Sequence, residues 1–513
     1  MADDDIGLYP AGSFRPATGE TAGGGVPREA QWYFARETIL VPKAPATASF
    51  APGQSTFDDL RQWSAARGED APADAPPLVW IGSTHTLRGA SMSEDGRQLR
   101  DGGAPMPVRT VAKIPLNRSY YDASSVAFLA LRPLSVRGEV EDGAFVMRTV
   151  WPEDFRFGPG PPSSRDLPAA STPALALRAL MREAPRGGAQ SAYAAWTLWR
   201  RDVPERSFGG RPVLAFMVNG AQGDDDEAHA GHCALVTGRV RADGSIGDWL
   251  VDNFYSLDIE SEKGILAAPV PLDNYLGDLN SGQSWYRPSY VLVLVLRDAR
   301  APSLVQSAIN RVYRQFYRHQ LPYYHPDVNC TSISIDTLRT LGWPVRARGA
   351  SASVLAWLAF PFMALRARSI AKAKVSFDYL MADQTRLLPA AALEEVFTSV
   401  LALARGDAEA GALARMVAED LEAIAFLRVP QFPSSRAFGD APAVSTAEYR
   451  SRVPKDPAQV QIVPVPPRPL PAALRDPDVT PPPRHPSDDA ALSWGAIAVV
   501  GVALLARRLM RRR

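Results

Sequence analysis

Two proline-rich breaks divide this 513-residue chain and limit where a packed core can form. The first, GPGPPSSRDLPAASTP, covers residues 158–173, and the second runs from Val429 to Asp489. Proline lacks a backbone N–H and is excluded from helix interiors and central strands. Dense proline also stiffens a chain into an extended spacer. We therefore expect folded domains before and after the first break, and a linker between the folded body and the C-terminal segment.

The patterns between these breaks indicate an α+β protein. Short β-branched and aromatic runs such as PLVWIG and AFVMRTVW predict strands, whereas SLVQSAINRVYRQFYRH repeats its apolar residues at helical spacing. The predicted organisation is an irregular N-terminus (1–30), a β-rich domain (31–157), an α+β domain (165–345), a helical extension (350–428), a proline-rich linker (429–489) and a membrane anchor (490–506).

The C-terminal anchor is predicted from an uncharged run, Ala490–Ala506, that is followed by five arginines. Its length lies at the short limit for crossing hydrocarbon, roughly 17 to 25 residues, and arginines suit lipid headgroups. A buried terminal helix is the alternative. The acidic start MADDD predicts no secretory signal, which favours a cytoplasmic position for the folded body. The arginines after the span favour the opposite topology, because they prefer the cytoplasmic side and would place the body on the periplasmic side. A second apolar run, SVLAWLAFPFMAL at residues 353–365, is too short to span a membrane and predicts a buried or interfacial helix.

Charge and cysteine content exclude several function classes. The 56 basic and 55 acidic side chains nearly balance, so no nucleic acid is expected as a partner. Cys233 and Cys330 are the two cysteines of the sequence. Two cysteines cannot supply a disulfide scaffold or a four-cysteine zinc site, and we expect a role as thiols.

Cys330 lies where a nucleophilic thiol is expected. In DVNCTSISIDTLRTLGWP, Asp327 or Asn329 can cap a helix that ends near Gly342, which places Cys330 in the first turn. Unpaired N–H groups and the positive end of the helix dipole favour a thiolate there. The alternation of Thr331, Ile333, Ile335 and Thr337 would instead suit a strand.

A thiol nucleophile needs a base, and the base needs a group that orients it. His232 begins the strand-like run HCALVTGRV, so its side chain should share a face with Ala234 while Cys233 points to the other face and packs in the core. A turn at Asp243-Gly244 would fold DWLVDNFYS back beside this strand. One register presents Asn253 to His232, and a slip of one residue presents Asp252.

The order GHCALVTG, DWLVDNFYS and NCTSISIDTLR resembles the circularly permuted papain-like thiol hydrolases of the NlpC type. It looks most like the bacterial Lnb-type periplasmic domain family, in which Gly-His precedes Asn-Cys-Thr. The resemblance covers roughly residues 170–345 and implies an antiparallel sheet with helices. It also implies Cys330 as nucleophile and His232 as its base. The chain departs from that family in lacking a recognisable export signal.

The predicted function is therefore a membrane-tethered cysteine hydrolase or acyltransferase that acts on a peptide, another amide or a lipid ester. No cofactor or metal is expected, since thiolate and imidazole suffice for acyl transfer. Three residues before Cys330 could line the pocket or help the Cys330 amide to bind an oxyanion, and packing is the equal alternative: Tyr323, Tyr324 and His325. The alternative function is a membrane-anchored binding scaffold without catalysis.

A divalent-metal site is the other chemical alternative. It would use the acidic loop before the histidine strand, whose possible ligands are Asp224, Asp225, Asp226, His229 and His232.

Overall fold

The computed structural model describes residues 14–16, 31–34, 37–40, 53–68, 74–83, 85–111, 121–158, 161–182, 192–201, 207–220, 231–255, 267–285, 287–317, 320–407 and 411–434. The predicted anchor, nearly all of the predicted linker and the acidic loop lie outside these residues. In the described part of the chain, no helix is both long enough and apolar enough to cross a membrane.

The N-terminal part contains a small antiparallel sheet and a closed barrel. The sheet has strands in sequence order: β1 (Phe14–Pro16), β2 (Gln31–Phe34), β3 (Glu37–Leu40) and β4 (Val79–Gly82), with helix α1 (Thr56–Ala66) before β4. The barrel is built from β5 (His85–Met92), β6 (Gln98–Arg100), β7 (Met106–Thr110), α2 (Ala123–Ala130), β8 (Leu134–Glu141) and β9 (Ala144–Pro152).

The barrel closes in the order β5-β6-β7-β9-β8, with β7 and β9 parallel and the other neighbours antiparallel. Helix α2 lies between the third and fourth strands of the barrel in chain order. Gly138 allows β8 to bend where its register shifts, because a Cβ there would lie 2.3 Å from the Val146 carbonyl oxygen. An arrangement of strands carries no function by itself.

The rest of the chain forms a seven-stranded antiparallel sheet with helices. Its first elements are α3 (Pro173–Arg182), β10 (Ala194–Arg200), β11 (Pro212–Asn219), β12 (His232–Arg239), β13 (Leu250–Asn253), β14 (Ala268–Pro271), α4 (Leu272–Gly277), β15 (Ser289–Leu296), α5 (Arg300–Tyr317) and α6 (Cys330–Thr340). It continues through α7 (Ser353–Ala367), α8 (Ile370–Met381), α9 (Gln384–Leu387), α10 (Pro389–Arg405), α11 (Ala412–Asp420) and β16 (Leu421–Val429). The mixed α+β class predicted from the sequence is confirmed.

The predicted helical extension over residues 350–428 is wrong at its end. LEAIAFLRV forms β16, and the sheet order β10-β16-β15-β11-β12-β13-β14 places this strand between β10 and β15. All of its residues except Arg428 are buried. A strand buried on both faces has no polar–apolar alternation, so its apolar run cannot be distinguished from a helix by periodicity. The extension therefore supplies a strand to the main sheet and is not a separate appendage.

Buried ion pairs join the barrel to the main sheet. Arg137 on β8 donates to Asp273 at 2.8 Å, and Arg148 on β9 donates to Asp278 at 2.7 Å. These side chains are at most 4% exposed. A buried charge without its partner would carry a large desolvation cost. The predicted β-rich and α+β domains thus share a continuous interface, and their apolar side chains form one core.

Candidate active site

Helix α6 begins at Cys330 because Asn329 caps it. The Asn329 Oδ1 accepts the backbone N–H groups of Thr331 (2.8 Å) and Ser332 (2.9 Å), and the Ser332 hydroxyl accepts the Asn329 N–H at 2.8 Å. This reciprocal pair is a capping box. The alternative of a strand at Cys330 is therefore wrong, and the residue that caps the helix is Asn329 and not Asp327.

The cap leaves the Cys330 backbone N–H pointing towards a tyrosine. This N–H donates to the Tyr323 hydroxyl at 3.4 Å. Two donors, the N–H and the phenolic O–H, therefore lie together at the start of α6. Paired donors of this kind can stabilise the oxygen of a tetrahedral intermediate if they are aimed at it. Tyr323 is thus the member of the tyrosine–histidine triplet that lies against Cys330.

The neighbouring Tyr324 and His325 bind elsewhere. The Tyr324 hydroxyl donates to Asp378 at 2.8 Å, and the His325 Nδ1 lies 3.0 Å from the Tyr379 hydroxyl. Both partners lie on α8. These contacts attach the segment that precedes Cys330 to the helical part of the chain.

The register of the β12–β13 hairpin decides which polar group faces His232. Leu235 pairs with Asp252, and Val236 pairs with Val251. The same register places Ala234 opposite Asn253. Asn253 therefore shares a face with His232, and its Oδ1 lies 2.8 Å from the His232 Nε2. Of the two candidates that the sequence left open, the structure brings Asn253 to the histidine.

This contact fixes the roles of the two imidazole nitrogens. An amide oxygen can only accept a hydrogen bond, so Nε2 must carry a proton and Nδ1 is left as the basic atom. The ring is 4% exposed and stacks on Tyr255 with a centroid separation of 4.8 Å and an interplanar angle of 18°. A hydrogen bond at one edge and a stacked ring on one face hold the imidazole in a single orientation.

Asp252 occupies the opposite face of the hairpin. Its Oδ1 accepts a hydrogen bond from the Gln306 amide at 3.0 Å, and its carboxyl group is fully buried. Burial raises the pKa of Asp252 to about 8, although the Gln306 hydrogen bond opposes this. Asp252 is therefore largely a neutral acid at neutral pH, directed at α5, and it does not orient His232.

The two cysteines meet across the interface between β12 and α6. Cys233 Sγ lies 3.4 Å from Thr331 Oγ1, and Cys330 Sγ lies 3.8 Å from the same oxygen. Both side chains are buried. Cys233 points away from Ala234 and into the core, as expected, but that part of the core is the wall beside the candidate nucleophile.

The two thiols differ in acidity. A hydrogen bond from the Cys233 side chain, followed by the charge and hydrogen bonding of His232, holds the pKa of Cys330 well below its ordinary value, against the effect of burial. Burial and then the neighbouring Cys330 raise the pKa of Cys233. Cys330 is thus the more acidic thiol of the pair, and the Cys233 thiol lies beside it as a possible donor.

Sequence reasoning missed the part that Cys233 plays in this site. The strand residue next to His232 points to the opposite sheet face, and the sequence does not say which helix covers that face. It also missed Gln306, whose partner depends on how α5 packs. In the described ranges, no group of three or more histidine, cysteine or acidic side chains is arranged to hold a metal ion. Asp224, Asp225, Asp226 and His229 of the alternative metal site lie outside those ranges.

Comparison with known proteins gives no relative: the chain matches no family model, no curated protein and no solved structure.

The buried Asp252 predicts a stability that falls as pH rises. Its folded pKa of about 8 exceeds the unfolded value of 3.8, so the folded state holds the proton more tightly and loses stability between about pH 4 and pH 8. Asp252→Asn should remove this loss and raise the free energy of unfolding at pH 8 by roughly 1–4 kcal/mol, with little change near pH 4. Urea unfolding at both pH values measures the difference.

The matched control for this experiment is Asp243→Asn, because hydrogen bonds to Ser245 help to lower the pKa of Asp243 although partial burial opposes them. That variant should not gain stability as pH rises. An Asp252→Asn effect that is equal at pH 4 and pH 8 would contradict a raised pKa for this carboxyl group.

The contact between the two cysteines gives a second prediction. Cys233→Ala removes a donor to the Cys330 sulfur, so the pKa of Cys330 should rise and its alkylation by iodoacetamide should shift to higher pH. Cys233→Ser retains a donor and should shift the profile less. Mass spectrometry of Cys330 alkylation across a pH series gives the midpoint for each variant. Identical midpoints in the wild type and in Cys233→Ala would show that Cys233 only fills space.

Proposed function

We propose that this chain is a thiol hydrolase or acyltransferase with a permuted papain-like fold. The observation that carries the proposal is the connected arrangement of Asn253, His232 and Cys330: an amide that fixes the imidazole, and an imidazole close enough to lower the pKa of the thiol. A nucleophile, its base and an orienting group are the three parts that thiol catalysis requires. The capped N-terminus of α6 adds a fourth, because its dipole favours the thiolate.

In the first half of the reaction, the Cys330 thiolate attacks a carbonyl carbon and forms a C–S bond. The negative charge moves to the carbonyl oxygen, to which the Tyr323 hydroxyl can donate while it accepts the Cys330 N–H. The intermediate then collapses and the bond to the leaving group breaks. The His232 imidazolium gives its Nδ1 proton to the leaving amine or alcohol, which departs.

In the second half, His232 acts as a base. Its Nδ1 removes a proton from water or from an acceptor amine or alcohol, and the acceptor oxygen or nitrogen attacks the thioester. The C–S bond breaks and the Cys330 thiolate is restored. Throughout, Asn253 keeps the Nε2 proton in place, so the ring does not change its tautomer or its orientation.

The proposed substrates are amides, as in peptides, and esters, including lipid esters. Both have a carbonyl carbon that a thiolate can attack, and both release a group that a histidine can protonate. We also propose that residues 490–506 tether the body to a membrane, with the body on the cytoplasmic side, where the arginines that follow this run meet anionic lipid headgroups.

Incubation with p-nitrophenyl acetate tests the mechanism without knowledge of the natural substrate. We expect acetylation of Cys330, which peptide mass mapping locates. The Cys330→Ala variant should release no p-nitrophenol above the uncatalysed rate. His232→Ala should slow release by roughly 10²–10⁴-fold, because the thiol loses its base. His85→Ala, which removes an exposed histidine of the barrel, is the matched control and should react at the wild-type rate.

Equal and slow acetylation of Cys233 and Cys330, or unchanged release from Cys330→Ala, would contradict catalysis. Such a result would favour the alternative function, a binding scaffold without catalysis.

A further inference from the structure

Helices α7 and α8 pack on each other through small side chains and leave a large apolar face uncovered. Their contact includes Ala356, Ala359 and Ala373, with the Trp357 ring 4.9 Å from that of Phe377. Six of the nine large hydrophobic side chains exposed in the described part of the chain lie on this helix pair: Val354, Trp357, Leu358, Phe362, Leu365 and Ile370. We call these six side chains the apolar face.

The apolar face has helical order and is not a scatter of single residues. Five of its members on α7 follow the spacing of one helix side. Leu365 is 79% exposed and Trp357 is 67% exposed, so both are presented to whatever covers this surface. A contiguous exposed apolar surface marks a site of interaction with a protein or a membrane.

A basic border lies at one end of the apolar face. Arg366, Arg368, Lys372 and Lys374 are all exposed, and they occupy the end of α7, the turn and the start of α8. The one acidic residue of the two helices, Asp378, is held by Lys374 at 2.5 Å and by Tyr324. Asp378 therefore neutralises Lys374, and the positive charge of the border comes from Arg366, Arg368 and Lys372.

We infer that the apolar face and its basic border dock onto the surface of an anionic phospholipid bilayer. An apolar helix face with cations beside it matches the boundary between acyl chains and headgroups. A second copy of this chain would bring an equally basic border to the contact. Residues 490–506 of the same chain are followed by five arginines, so this segment would also bring positive charge to a basic surface. Anionic lipid offers the opposite charge, and each basic residue near its surface strengthens binding.

Hydrogen exchange of the full chain, with and without vesicles, tests this docking surface. The probes are vesicles of phosphatidylcholine alone and vesicles that also contain phosphatidylglycerol. We expect peptides from α7 and the first turn of α8 to exchange at least about tenfold more slowly with the anionic vesicles, and added salt should weaken this protection. Because the readout is local, attachment through residues 490–506 cannot produce it.

Two sets of substitutions separate the contribution of the basic border to vesicle binding from that of the apolar face. Arg366→Glu with Arg368→Glu and Lys372→Glu should abolish the preference for phosphatidylglycerol. Leu358→Gln with Leu365→Gln should abolish protection on both kinds of vesicle. Leu131→Gln, which alters an exposed leucine at the end of α2, is the matched control and should change neither. An unchanged thermal unfolding midpoint shows that each variant is folded.

Two results would overturn the inference. Exchange at α7 that does not change while the chain floats with vesicles would mean that another segment makes the attachment. Protection of α7 that rises with protein concentration in the absence of vesicles would mean that a second copy covers the apolar face.

Discussion

The candidate site depends on one hydrogen bond, between the His232 Nε2 and the Asn253 Oδ1. This contact exists because the β12–β13 hairpin pairs Leu235 with Asp252 and so turns Asn253 to the histidine face. A shift of one residue would exchange Asn253 for Asp252. A carboxyl group would then face the imidazole, whereas the observed amide places its oxygen against Nε2 and leaves Nδ1 for the thiol.

The electrostatics at Cys330 follow from three contributions, which come from helix α6 and strand β12. Helix α6 supplies the positive end of its dipole, β12 supplies His232, and the same strand supplies the Cys233 thiol from its other face. The core that holds them together includes β16, which arrives from the far end of the folded chain. The helix pair with the proposed docking face is attached to the same site through Tyr324 and His325.

Local signals predicted the site better than they predicted the architecture. Asn-Cys-Thr before an apolar helix pattern was enough to place Cys330 at a capped N-terminus, since capping is a short-range effect. The hairpin turn narrowed the orienting group to two residues, but register needs the tertiary fold. β16 was mistaken for helix because a fully buried strand has no alternation. The contact of Cys233 with Thr331 could not be predicted, since it depends on which helix covers β12.

The tautomer of His232 tests the account most directly. In protein with ¹⁵N-labelled histidine, the His232 signals can be assigned by their loss in His232→Gln, and their chemical shifts report which ring nitrogen carries a proton. We predict that the neutral ring carries its proton on Nε2, against the Asn253 oxygen, and leaves Nδ1 bare. A His232 ring with a bare Nε2 and a proton on Nδ1 would contradict the role of Asn253 and remove the base from the proposed mechanism.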